Sequence, residues 1–123
     1  MNIGYIHNKN ELAEIYALSD VFCFASTAET FLLTVAEAMA CGTPAVGFDI
    51  PVVRELVHND TGILTTKNDS ENLAKTLDTL ICDNSKTIEM GKGGRNLIVN
   101  NYSQSLFCEN YKKLYTDKII YNE

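Results

Sequence analysis

Two carboxylates, Glu29 and Glu37, stand eight positions apart in the run Ala28-Glu29-Thr30-Phe31-Leu32-Leu33-Thr34-Val35-Ala36-Glu37-Ala38-Met39-Ala40-Cys41-Gly42-Thr43-Pro44. The segment between them turns from apolar loop to Ala-rich helix, with a Gly-Thr-Pro stop. A helix starting near Leu33 aims the amides of Leu32, Leu33 and Thr34, and its positive dipole end, at a phosphate. Glu37 lies about one turn into that helix. A carboxylate there matches the two donor hydroxyls of a ribose, as acidic residues do in dinucleotide folds. Glu29 precedes the loop, where a sugar beyond the phosphates would hang, and it can accept from ring hydroxyls. Spacing alone leaves an ordinary alternative open, with Glu29 a solvated loop residue and Glu37 a first-turn charge favoured by the dipole.

Positioning these groups requires strands on either side. Val21-Phe22-Cys23-Phe24 leads in and Ala45-Val46-Gly47-Phe48 leads out. Strand, loop, short helix and strand make a βαβ crossover, which demands parallel strands. In open parallel sheets the loops at the carboxyl ends of strands hold the ligand. A continuous apolar run such as 21–24 predicts a strand covered by helices on both faces. The other expected elements are a strand over 2–6 and a helix capped by Asn8, with Glu11 completing a capping box. A short helix over 52–57 and a strand over 63–65 follow. Asp69 or Ser70 caps a helix whose apolar face is Leu73, Leu77, Leu80 and Ile81. Helices over about 86–100 and from Ser103 onward close the chain. The fold class is α/β, a partial Rossmann-like parallel sheet of about four strands with helices on both faces.

The chain has 123 residues, suited to one domain with a modest core. An apolar content of 46% and a charged content of 21% are those of a globular protein. A net charge of −6 with no Lys/Arg cluster argues against nucleic acid as a partner. Four scattered cysteines without a Cys-x-x-Cys predict buried free thiols in a reducing compartment. No run suits a membrane span, and Met1-Asn2-Ile3-Gly4 lacks a signal-peptide layout. Gly91-Lys92-Gly93-Gly94-Arg95 lacks phosphate-loop spacing and follows a helical pattern. Its three glycines weaken that helix by roughly 1 kcal/mol each, which predicts a kink or mobility. His58 reads as a solvated turn residue. Tyr102, Tyr111, Tyr115 and Tyr121 read as helix-packing residues.

The motifs also carry a family resemblance. Glu29 to Glu37 resembles the Glu-x7-Glu motif of retaining glycosyltransferases of the GT-B fold, the group related to glycogen and sucrose synthases. The flanks are similar too: Glu11 to Val21, Glu37-Ala38-Met39-Ala40-Cys41-Gly42-Thr43-Pro44, Arg54 to Leu64, and Tyr102 to Tyr115. The resemblance implies the C-terminal, nucleotide-sugar-binding part of such an enzyme. It implies that Glu37 holds the ribose, that Glu29 contacts the donor sugar near its reacting carbon, and that amides after Phe31 meet the diphosphate. It places backbone at Ile6 and His7 near the base. It also implies sugar transfer with retention from a UDP- or GDP-linked donor to an acceptor hydroxyl on a glycan or lipid-linked acceptor, with no metal and no cofactor. The absence of Asp-x-Asp agrees with metal-independent chemistry.

Two departures qualify these expectations. Many members carry Gly where this chain has Leu32, and Gly lets backbone approach phosphate closely. The family's upstream Gly-rich loop, with its Arg and Lys, has no counterpart before Met1, nor has the acceptor-binding N-terminal domain. The expectation is therefore a donor-domain fragment, inactive alone and cytoplasmic, peripheral to a membrane only through the missing domain. The last helix is available to dock on that domain. An unpaired strand 2–6 would leave a sheet edge open to self-association. A nucleotide-sugar epimerase of the same fold and a non-catalytic binding or assembly module remain the alternatives.

Overall fold

Strand β2 (Ala45–Phe48) has all four residues buried and is the axis of the sheet. It pairs in parallel with β1 (Phe22–Phe24) and with β3 (Gly62–Thr65), with Ala45 opposite Phe22 on one side and Gly62 on the other. The computed structural model describes residues 4–120, the side chains of 117–120 excepted. The helices are α1 (Lys9–Leu18), α2 (Leu33–Ala40), α3 (Ser70–Cys82), α4 (Asn84–Asn101) and α5 (Gln104–Ile120). A 3₁₀ turn spans Pro51–Val53. The architecture is the expected α/β parallel sheet with helices on both faces.

Each face of β2 feeds a separate core. Ala45 and Phe24 pack with Val35, Met39, Ile50 and Val53 beneath α2 and the 3₁₀ turn. Val46 and Phe48 pack with Leu73, Leu80 and Met90 beneath α3 and α4. Strand alternation sends neighbouring residues to opposite faces, so a strand buried on both faces must be apolar throughout.

Helix α2 ends by a Schellman turn. The Gly42 amide donates to the Met39 carbonyl at 2.9 Å and the Thr43 amide to the Ala38 carbonyl at 3.1 Å. Gly42 takes φ +87°, a conformation that costs glycine nothing. Asp83 joins α3 to α4 alone. It is the C-cap of the first, and its carboxylate accepts from the Lys86 amide at 3.0 Å to cap the second.

Several expectations need correction. The sheet has three strands among the described residues, where about four were expected. Residues 2 and 3 of the expected strand 2–6 lie outside the described residues, and residues 4–6 are irregular. Cys23 on β1 is exposed, because α3 packs on β2 and β3 and leaves that face of β1 uncovered. Cys82 and Cys108 are exposed and Cys41 is intermediate, so the four thiols are free but not buried. The helix expected over 52–57 is a 3₁₀ turn followed by further turn, since β-branched Val52 and Val53 after Pro51 favour a short element. Ile81 is exposed, one position past the face that Leu73 and Leu80 bury. Asn8 caps the Asn10 amide at 2.9 Å, and no bond returns from Glu11. Tyr111 and Tyr115 are exposed and lean on one another along α5, with Phe107 stacked on Tyr111 at 4.6 Å between centroids. Tyr121 lies outside the described residues.

The glycines of α4 do not break it; it runs unbroken for 18 residues. A Cβ at Gly91 would run into the Gly42 carbonyl oxygen, and one at Gly93 into the Asp60 carbonyl oxygen. A Cβ at Gly94 would meet only the Met39 side chain, at 3.4 Å. The stripe is a seam against two backbone turns. No helix among the described residues is long and apolar enough to cross a membrane.

The two positions should therefore respond differently to alanine. Gly91→Ala should lower the unfolding free energy by about 1–2 kcal/mol, because overpacking against backbone outweighs the gain in helix propensity. Gly94→Ala should be neutral or slightly stabilising. Urea denaturation of both variants checks this, and equal effects would discount the seam.

Candidate functional site

Helix α2 starts where the spacing of its residues predicts. Leu32 is its N-cap, and the Leu32 carbonyl accepts from the Val35 and Ala36 amides at 3.1 and 3.2 Å. No side chain caps this end, so the amides of Leu33 and Thr34 have no partner within the helix and face outward as donors. The Leu32 side chain is 6% exposed, buried in the core beneath α2. It anchors the loop where a glycine would leave it free. Phe31 and Leu33, on either side, are exposed. So is Thr34.

Glu37 lies on α2 at the border of two cavities. One, of 450 Å³, brings Glu37 together with Ile6 and His7, and adds Tyr5, Lys9 and Tyr16. The other, of 580 Å³, is lined by Phe31, Leu33 and Glu37 together with Tyr102, Phe107 and Tyr111. Its wall is mostly aromatic and aliphatic. Glu29 lines neither cavity. It is exposed in the loop before α2, and the Ser26 hydroxyl donates to its Oε1 at 2.9 Å.

Two phenols on these walls lie near carboxylates. The Tyr16 phenol and the Glu37 carboxylate line the same cavity. Burial first, then the Glu37 charge and neighbouring Cys41, push the Tyr16 phenol above its ordinary value. Burial pushes the Tyr102 phenol above its ordinary value, and the Glu55 carboxylate acts in the same direction. At the far end of α2, the Arg95 guanidinium donates to the Ala40 carbonyl, placing a cation at the negative end of the helix dipole. Near β2, Arg54 holds Asp49 through two bonds of 2.7 and 3.1 Å, which lowers the Asp49 carboxyl.

Sequence reasoning missed Tyr5, Lys9, Tyr16 and Cys41 as cavity residues. Only Tyr16 gave a signal, since it falls on the same helical face as Leu12. What the phenol meets depends on how α1 packs over α2, which local spacing does not encode.

Comparison with known proteins gives a consistent picture. The profile of the family described as glycosyl transferases group 1 matches residues 2–97. N-acetyl-alpha-D-glucosaminyl L-malate synthase of Bacillus anthracis is 29% identical over 114 residues, covering 92% of this chain and 30% of that protein. An uncharacterized glycosyltransferase of Haemophilus influenzae is 33% identical over 113 residues, covering 90% and 32%. Among solved structures, sucrose-phosphate synthase from Thermosynechococcus elongatus superposes with a TM-score of 0.87 at 26% identity, covering 96% of this chain and 30% of that one. Anabaena HepE in complex with UDP superposes with a TM-score of 0.79 at 28% identity, covering 85% and 29%. The chain thus spans about a third of the length of these relatives.

The surroundings of Tyr16 have a measurable consequence. Its phenol should titrate above the ordinary value of about 10. A raised folded-state pKa contributes stability that is present below the ordinary value and is lost as pH rises through the folded one. Ultraviolet difference titration against Tyr16→Phe reads the shift. Glu37→Gln removes the charge but not the burial, so it should bring the value part of the way down. An ordinary phenol at Tyr16 would discard both influences.

Proposed function

Because the chain belongs to the group 1 glycosyl transferases, we propose that it supplies the donor-binding half of a sugar-transfer site of the GT-B type. The observation that carries this reading is the cavity shared by Glu37, Ile6 and His7. On this reading Glu37 accepts from the ribose hydroxyls, backbone at Ile6 and His7 borders the base, and the amides of Leu33 and Thr34 face the diphosphate. Glu29 accepts from the donor sugar. The donor is a UDP- or GDP-linked hexose, and the UDP bound in the Anabaena relative supports a nucleoside diphosphate as ligand. The acceptor is a hydroxyl on a glycan or lipid-linked molecule.

As the glycosidic bond breaks, the departing diphosphate gathers negative charge while the sugar becomes oxocarbenium-like. Fixed dipoles aimed at the diphosphate stabilise that charge without reorganising. The uncapped N-terminus of α2 is such a dipole. Transfer proceeds with retention and without a metal. Because the chain spans about a third of its relatives, we assign it donor binding alone and not transfer. The acceptor side falls to the part of the relatives' length that this chain does not span. The four free thiols support a cytoplasmic setting.

Calorimetric titration of UDP and GDP tests the reading. One of them should bind the chain, and Glu37→Ala should weaken that binding by roughly tenfold or more, the loss expected for hydrogen bonds to a charged group. Equal binding by both proteins would remove Glu37 from the ribose. Glu29→Gln should leave the nucleoside diphosphate unaffected and weaken only the matching nucleotide sugar. Transfer by the isolated chain would overturn the assignment to donor binding alone.

A further inference from the structure

Lys9 is the only lysine or arginine among the described residues that lines the 450 Å³ cavity. Helix stability does not account for it. Lys9 is the first residue of α1, where the positive end of the helix dipole disfavours a cation. No carboxylate is ion-paired to it among the described residues. It is exposed, so its charge is open to a ligand in a chain whose net charge is −6.

Its place decides which part of a nucleotide it meets. Tyr5, Ile6, His7 and Lys9 come from one short segment and all line this cavity, with Glu37 bordering it from α2. Leu33, whose amide faces the diphosphate on the reading above, lines the other cavity, which Lys9 does not. With the ribose at Glu37 and the base beside Ile6 and His7, Lys9 falls on the base side. The Tyr5 ring, 85% exposed, meets the His7 ring edge-on with centroids 4.6 Å apart. Such a pair offers a face on which any base can stack, so it adds affinity without choosing between bases. Choice needs a group that reads the edge of the base.

We propose that Lys9 is a specificity-determining residue: its ammonium donates to the keto oxygen of the base and so selects uracil or guanine over cytosine or adenine. This rests on the nucleotide-binding reading above, and it supplies what the two candidate bases of that reading share. An ammonium is a donor with no acceptor site. Uracil O4 and guanine O6 are acceptors, whereas the matching amino groups of cytosine and adenine are donors. A keto oxygen beside Lys9 gains a charge-assisted hydrogen bond. An amino group there sets donor against donor and leaves both without a partner. A lysine that merely drew in the diphosphate would strengthen every nucleotide alike.

Calorimetric titration compares UDP with CDP, and GDP with ADP, on the parent chain, Lys9→Met and Lys9→Glu. Methionine keeps an unbranched side chain and removes the donor. Glutamate replaces donor by acceptor and suits a helix start. Both changes fall at an exposed position, so the fold is retained. The parent should bind the keto member of a pair more tightly. Lys9→Met should lower that preference by roughly threefold to tenfold, as expected for one solvent-accessible hydrogen bond. Lys9→Glu should lower it at least as far. Because the readout is a ratio within one protein, the general attraction of a lysine for the diphosphate cancels.

A parent that binds UDP or GDP without preferring it to its amino counterpart overturns the role of Lys9 and leaves the nucleotide site standing. A preference that survives unchanged in Lys9→Met or in Lys9→Glu does the same, whatever the overall loss of affinity. No binding of UDP or GDP by the parent overturns both readings.

Discussion

The close approach of α4 to the left-handed turn at Gly42 is the constraint on which the site depends. Gly42 at φ +87° ends α2 after eight residues and turns the chain into β2. Gly91 lets α4 lie against the carbonyl of that same turn. Arg95, one turn further along α4, satisfies the Ala40 carbonyl that the helix end leaves open. Thr43, the next residue after the turn, reaches across to the Tyr16 carbonyl of α1. One backbone turn thus fixes α1, α2 and α4 relative to one another, and Glu37 stands within that frame.

A short helix held at its C-terminal end has a defined N-terminal end as well. Buried Leu32 completes this by anchoring the loop into the core beneath α2. The placement exchanges one property for another. Glycine would permit the closest approach of backbone to an anion. Leucine surrenders that freedom and adds an apolar anchor, worth about 2 kcal/mol by burial of its side chain. The Leu33 and Thr34 amides keep their outward aim in either case, because their direction is set by the helix axis.

The parts of the fold that periodicity and turn chemistry encode were legible in the sequence. The alternation of apolar strand, Ala-rich helix and Gly-Thr-Pro stop located β1, α2 and β2 closely, and Asp69 marked a helix start through its own capping bond. What failed depends on neighbours distant in sequence. Cys23 reads as buried from its apolar run, yet exposure there is decided by where α3 lies. The glycines of α4 read as weakness in a helix, but their partners are Gly42, Asp60 and Met39. Ile81 fits a helical stripe and misses the core by the width of that stripe. At the site, Glu37 shares a cavity with Ile6 and His7, and Tyr16, Lys9 and Tyr5 on the same wall could be found only once α1 was packed.

The two cavities bordering Glu37 differ in chemistry, and that difference decides which of them suits a nucleotide. The smaller presents Lys9, His7, two phenols and the Glu37 carboxylate, a mixture able to satisfy a charged and hydroxylated ligand. The larger is walled chiefly by aromatic and aliphatic side chains such as Phe31, Leu33 and Phe107, with Asn101, Ser103 and Asn110 as its polar groups. The same helix can therefore serve a polar ligand and an apolar surface without asking one face to do both.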